Sequence, residues 1–208
     1  MRNKIAMQAV LRDHGLPLPR TWFAANTAVF RRIPPDCFPL VVKPFDGDGA
    51  RGLALVRRPS DIELLPRSRR RRSLYLAQEL LQTDGTDLKL YGIGSQTWAV
   101  RKPSPIRFVG PGPAEAVPAS GGELVALDRE LRDIALTSGR ACGLELWGVD
   151  VAITPAGPRI IEVNDFPTYS AVPGAGEAIA RYVMATVELD RLTRVAGRDR
   201  LRAVVRSN

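Results

Sequence analysis

Asp150, in the run Leu146–Ala152, and Glu162 and Asn164, in the run Pro158–Asn164, are two carboxylates and an amide separated by the turn-forming stretch Thr154-Pro155-Ala156-Gly157-Pro158. Side chains alternate along a strand, so Glu162 and Asn164 share one face, and a turn with an odd number of residues sets Asp150 opposite Glu162. Carboxylates converging beside apolar neighbours repel one another unless a hard cation neutralises them, and an all-oxygen donor set suits Mg²⁺ rather than Zn²⁺. The alternative is a solvated polar strand face, which the same spacing also describes.

A second group of chemical residues surrounds a glycine-rich stretch. Gly47-Asp48-Gly49-Ala50-Arg51-Gly52 satisfies the G-x-G-x-x-G pattern of dinucleotide-binding turns. Such a turn requires a helix directly after it, whereas Leu53-Ala54-Leu55-Val56 has a strand pattern. Between two antiparallel strands the glycines form a flap that offers backbone N–H groups to a polyphosphate. Lys43 ends the first strand at the base of that flap, where its ammonium can neutralise phosphate oxygens. The plainer account is a lysine that merely ends a strand.

The elements that position these residues follow from periodicity and punctuation. Residues 3–14 read as a short helix with Ile5, Ala9 and Val10 on its apolar side, ended by Gly15, Pro17 and Pro19. Pro39–Val42 and Leu53–Val56 form a hairpin, and Ser60–Leu65 starts as a helix capped by Ser60 or Asp61. A strand covers Leu74–Glu79, and a second hairpin joins Lys89–Gly94 to Gln96–Val100. Ile106–Gly122, rich in Pro and Gly, is a connection. A helix spans Leu124–Cys142, and a last amphipathic helix spans Gly176–Leu192 with Ile179, Tyr182, Val183 and Val187 on one side. Helices and hairpins alternate without a βαβ rhythm, so the fold class is α+β on antiparallel sheets.

Composition narrows the function classes. The chain has 208 residues, a formal charge of +8, two cysteines and one histidine. No apolar run is long enough for a membrane span or a signal peptide, so a cytoplasmic location is expected. Cys37 and Cys142 are too few for a disulfide framework, and the lone His14 gives a nucleophilic triad little to work with. The positive charge favours polyanions. Its densest runs, Arg67 to Arg72 and Arg191 to Arg206, lack the interleaved aromatics that stack on bases, so nucleic acid is not the expected partner.

The order of Lys43, the glycine flap, Gln78-Glu79-Leu80-Leu81 and the Asp150…Glu162-Val163-Asn164 hairpin resembles the ATP-grasp enzymes over nearly the whole chain. That resemblance implies two lobes of antiparallel sheet enclosing a nucleotide. A single domain would cover residues 1–190, with a small flap lobe at 20–77 and a larger metal-binding lobe at 82–190, followed by a basic tail at 191–208. It also implies ATP and Mg²⁺ as cofactors. Lys4, Lys43 and the flap glycines Gly47, Gly49 and Gly52 would meet the phosphates. Gln78, Glu79, Leu80 and Leu81 would form the adenine linker, Asp87 would sit near the ribose or the acceptor, and Asp150, Glu162 and Asn164 would hold the metal.

Two branches of the superfamily share features with this chain. Lys89–Gly94, Ala99–Ser104 and the block Asn164-Asp165-Phe166-Pro167-Thr168-Tyr169 are similar to inositol 1,3,4-trisphosphate 5/6-kinases. By that similarity Arg51, Lys89 and Lys102 would clamp phosphate groups of the acceptor and Ser104 would touch ATP, and Arg101 is a further cation expected to hold the acceptor. Glu162, the segment Gly15–Thr21 and the Gln-Glu linker are instead similar to RimK-type carboxylate–amine ligases, although Phe166 stands where their metal strand carries serine. The leading expectation is transfer of the ATP γ-phosphoryl group to an anionic small-molecule acceptor, as in the kinases. The alternatives are RimK-like ligation through an acyl phosphate, to a small-molecule or peptide acceptor, and a basic scaffold with a degenerate ATP site. Both enzyme branches carry a preceding α/β domain, so a partner chain that supplies it is a further expectation.

Overall fold

Among the described residues, short strands form two separate antiparallel sheets. The computed structural model describes residues 3–45, 52–65, 74–109 and 121–206, the last stretch with side chains to residue 194. The smaller sheet contains β1 (Thr21–Ala24), β2 (Leu40–Pro44), β3 (Ala54–Val56) and β4 (Tyr75–Glu79) in the order β1-β4-β2-β3. The larger contains β5 (Thr86–Ile93), β6 (Gln96–Pro103), β7 (Glu123–Val125), β8 (Leu146–Thr154) and β9 (Gly157–Asp165) in the order β7-β6-β5-β8-β9. The α+β expectation with antiparallel sheets therefore holds, and so does the hairpin on either side of the flap, since β2 pairs antiparallel with β3.

One face of the larger sheet is apolar. Leu88 and Leu90 of β5, Ala99 of β6, Trp147, Val149 and Val151 of β8, and Ile160 and Val163 of β9 are all buried there. They pack against Met7 and Leu11 of helix α1 (Lys4–Asp13) and Leu131, Ile134 and Ala135 of helix α2 (Arg129–Ala141). Burying each of the larger side chains stabilises the fold by roughly 1.5–3 kcal/mol before the entropy of ordering is subtracted. Trp147 fits into this core because two glycines make room for it. A Cβ at Gly92 of β5 would lie 2.1 Å from the indole ring, and one at Gly139 of α2 would lie 2.3 Å from it. The opposite face, with side chains one residue out of phase, carries the charges.

Four local expectations change. On α1 the buried stripe is Lys4, Met7, Gln8 and Leu11, while Ile5 is exposed, so the helix turns Met7 and Leu11 to the core rather than Val10. Residues Pro59–Leu64 form a 3₁₀ turn, in which the Asp61 carboxylate accepts from the backbone N–H groups of Arg57 (3.0 Å) and Arg58 (3.3 Å). Leu124 belongs to β7, and the helix that follows starts only after Asp128, whose side chain accepts from the Leu131 N–H at 2.8 Å. β1, four residues long, and a 3₁₀ turn at Thr27–Arg32 precede the first expected hairpin.

The chain divides into two units, Met1–Ala171 and Val172–Asn208. The second holds helix α3, Ala175–Arg206, which continues past residue 192, with Val183 and Val187 exposed. Among the described residues no helix is long and apolar enough to cross a membrane.

Candidate active site

The polar face of the larger sheet is assembled by strand register. Asp150 lies directly opposite Glu162 across β8 and β9, and Gly148 lies opposite Asn164. The turn itself does not produce this match, because Thr154 pairs with Gly157 around the two-residue loop Pro155-Ala156, an even count. The extra residue is a β-bulge after Ile160: Val151 pairs with Ile160 and Asp150 with Glu162, so Ile161 has no partner of its own. Ile160 and Val163 can then both enter the core while Glu162 and Asn164 point the other way.

Lysines hold the two carboxylates. Lys89 of β5 donates to Asp150 Oδ2 at 3.0 Å and Lys102 of β6 to Asp150 Oδ1 at 2.8 Å. Asn164 Nδ2 also donates to Oδ2, at 3.1 Å. Lys4, at the start of α1 and nearly buried, donates to Glu162 Oε1 at 2.5 Å. Burial alone would raise the Asp150 carboxyl, but Lys89 and Lys102 outweigh it and keep the group below its ordinary value. Burial likewise works to lower Lys102, and Asp150 more than reverses that.

Lys43 comes from the other sheet. It shares a face of β2 with Val41, beside an apolar cluster of Val41, Leu53, Leu55, Leu80, Ile106 and Val109. Burial pushes its ammonium down to about 8 and the nearby Lys4 adds to this, while Glu162 and Asp150 oppose it. Lys43 is half-buried, and Asp87, two residues before Lys89 on β5, is buried. Desolvation raises its carboxyl to about 6 against a hydrogen bond from Ser104 and the charge of Lys102. Lys4, Lys43, Lys89, Lys102, Asp87, Asp150, Glu162 and Ser104 are thus brought into one region in which cations outnumber carboxylates. Such a region attracts a polyanion.

Not every residue singled out from the sequence reaches this region. Arg101 alternates away from Lys102, pairs with Leu88 and Glu123, and is exposed. Its guanidinium is therefore on the wrong face to join Lys89. Gln78 donates its amide to Thr21 Oγ1 at 3.2 Å, and the Glu79 carboxylate receives Arg20 N and Nε at 2.9 and 2.8 Å. Those two side chains are committed elsewhere, and so are the Glu79 and Leu80 N–H groups, which donate to the Arg20 and Pro39 carbonyls at 3.1 and 2.9 Å. Gly52 sits at φ +75°, where a Cβ would meet Pro44 at 2.8 Å. Gly47, Gly49 and Arg51 lie outside the described residues.

Sequence reasoning missed a row of aromatics next to the lysines. Tyr91, two residues beyond Lys89 on the same face, meets Tyr169 in a tilted contact with ring centroids 5.4 Å apart, and the Tyr169 hydroxyl donates to the Gly92 carbonyl at 2.7 Å. The block Asn164–Tyr169 carries the signal, but its contact with β5 spans 77 positions and no local pattern announces it.

The donor set fits a magnesium ion. Asp150 and Glu162 face each other on adjacent strands, and Asn164 turns its amide nitrogen to Asp150, leaving its carbonyl oxygen as a third donor. Among the described residues no group of three or more His, Cys, Asp and Glu could hold a metal, so a soft-metal centre has no basis there.

The probable alpha-L-glutamate ligase 1 of Shewanella amazonensis is 26% identical over 198 residues, covering 90% of this chain and 63% of that protein. The corresponding ligase of Vibrio atlanticus gives the same identity and coverage. The chain thus spans less than two thirds of these relatives. Among solved structures, ATP-grasp ligase PsnB complexed with a minimal precursor, Mg and ADP superposes with a TM-score of 0.63 at 22% identity, over 88% of this chain and 58% of that one. D-cycloserine synthetase DcsG gives 0.67 at 19% identity, over 84% and 67%. These proteins are named as ligases and synthetases, so the leading expectation from the sequence, kinase-like transfer of the γ-phosphoryl group to an anionic small-molecule acceptor, is not supported, and the RimK-like alternative is the one that agrees with them. Residues 1–185 match the family model described as a RimK-like ATP-grasp domain, and the chain belongs to that family.

Proposed function

We propose that this site ligates a carboxylate to an amine at the expense of ATP, through an acyl phosphate. The observation that supports it most is the Asp150 carboxylate, gripped by Lys89 and Lys102 and set opposite Glu162 with Lys43 nearby. Lys4 and Lys43 bind the triphosphate, and the apolar cluster around Val41 and Leu80 takes the base. Asp150, Glu162 and Asn164 would hold Mg²⁺, which when bound supplies neutralisation of the phosphate charge.

Lys89 and Lys102 orient the acceptor carboxylate. An acceptor oxygen attacks the γ-phosphorus, the bond to the bridging oxygen breaks and ADP leaves. The amine then attacks the acyl carbon and inorganic phosphate departs. Positioning and charge neutralisation do most of the work in such transfers, so no nucleophilic side chain is required. The relatives' names make L-glutamate the amine to test first, with a small-molecule or peptide carboxylate as acceptor.

Purified chain with Mg·ATP, L-glutamate and a pool of carboxylic acids should release ADP and phosphate in equal amounts, only when the acid is present. ADP formed without free phosphate, in response to inositol phosphates, would reinstate the kinase alternative and overturn this proposal.

A further inference from the structure

We propose that Phe166 selects the acceptor: its exposed ring, next to the Pro167 that shares the Gly148 backbone with the Lys89 stem, receives an aromatic or bulky apolar group attached to the carboxylic acid that the lysines hold. The inference rests on the ligase proposal for the chemistry of that acid, and on the following geometry for its location.

Phe166 is the one non-glycine residue at positive φ, +42°, among those described. That region is disfavoured for a bulky side chain, and the following Pro167 restricts it further. Burial does not compensate, because Phe166 is 65% exposed. Such conformations persist where the surroundings dictate them, and they concentrate at functional sites. Here the Phe166 N–H donates to the Leu146 carbonyl at 2.9 Å, closing the end of β9. Pro167 packs on the bare backbone of Gly148, and so does the Lys89 stem. A Cβ at Gly148 would lie 2.9 Å from Pro167 Cγ and 3.0 Å from Lys89 Cε. Lys89 and the Phe166-Pro167 corner therefore share one floor.

The ring's position is set on its other side as well. Phe166 meets Tyr169 edge-on, with centroids 6.3 Å apart and planes at 75°, and Tyr169 meets Tyr91 at 5.4 Å. The Tyr169 hydroxyl is pinned to the Gly92 carbonyl, so the row cannot slide. The result is a fixed aromatic surface whose outer end is open and whose inner end adjoins the cations. Pro167 brings that outer end back beside the Lys89 stem over Gly148, so a carboxylate on Lys89 and Lys102 extends its side group across Pro167 to the Phe166 ring, where an aromatic or branched group gains contact and a hydrogen atom gains none.

The test uses the whole chain with Mg·ATP and hydroxylamine, which captures acyl phosphates as hydroxamates. N-acetyl-L-phenylalanine and N-acetylglycine are the probes. Their affinities are also measured directly by equilibrium dialysis with Mg·AMPPNP present. The expected preference for the phenylalanine derivative is about tenfold in kcat/KM and in affinity, falling to about twofold or less in F166N and staying intermediate in F166L. Asparagine tolerates positive φ, so F166N should melt at or above the temperature of the parent protein. A preference that F166N leaves intact, or no preference with hydroxamate formed, overturns the inference while the ligase chemistry stands. Ring-dependent binding lost in F166N without any hydroxamate supports the inference and overturns the ligase chemistry. Neither turnover nor binding overturns both.

Discussion

The ammonium of Lys43 sits where water is scarce and where Glu162, Lys4 and Asp150 all act on it. Its folded-state value of about 8 is below the usual 10.5 of a lysine. Below pH 8 both folded and unfolded chains are protonated, and the folded state carries the full cost of a desolvated cation. Between the two values only the unfolded state keeps the proton, so stability rises with pH. The gain is about 1–3 kcal/mol after allowance for partial exposure. Urea titrations from pH 7.5 to 10 should show this rise, and Lys43→Met should flatten it. A triphosphate at this position would reverse the logic by giving the ammonium a counter-charge, which is how a group that weakens the empty fold strengthens the occupied one.

At the scale of elements, Trp147 links sheet and helix through two glycines. Gly92→Ala should cost about 2–4 kcal/mol, at the upper end of overpacking effects, because the added methyl would overlap the indole at 2.1 Å rather than a flexible side-chain end. Chemical denaturation of G92A checks this, and pairing it with Trp147→Leu should recover part of the loss. The hairpins flanking the flap and following Thr86 are legible in the sequence because alternation and turn residues agree there. β1 is not, since four half-buried residues give no period to detect. The bulge after Ile160 escapes for a different reason. Ile160-Ile161-Glu162-Val163-Asn164 reads as plain alternation in which Ile160 would share a face with Glu162, and only pairing with β8 reveals that it does not. Residue type and spacing nevertheless point to Asp150 and Glu162 as neighbours, and the bulge, not the turn, sets them opposite each other. The aromatic row was hidden because Tyr91 and Tyr169 meet only through the fold, and the commitment of Glu79 to Arg20 was hidden for the same reason.

For the molecule as a whole, the formal charge of +8 is partly spent on a local purpose. The two sheets and helix α1 bring lysines from α1, β2, β5 and β6 toward a pair of carboxylates from β8 and β9, a set in which cations are in excess. The central claim is that the anion this set binds is the triphosphate of ATP, held together with Mg²⁺. Thermal unfolding with and without Mg·AMPPNP tests it most directly. At a hundredfold excess over Kd the nucleotide stabilises by about 2.7 kcal/mol, or roughly 5–10 °C for a chain of this size. The account predicts a shift of that order in the parent protein and none in Lys43→Ala or Glu162→Ala. No shift in the parent, or an undiminished shift in both variants, would contradict it.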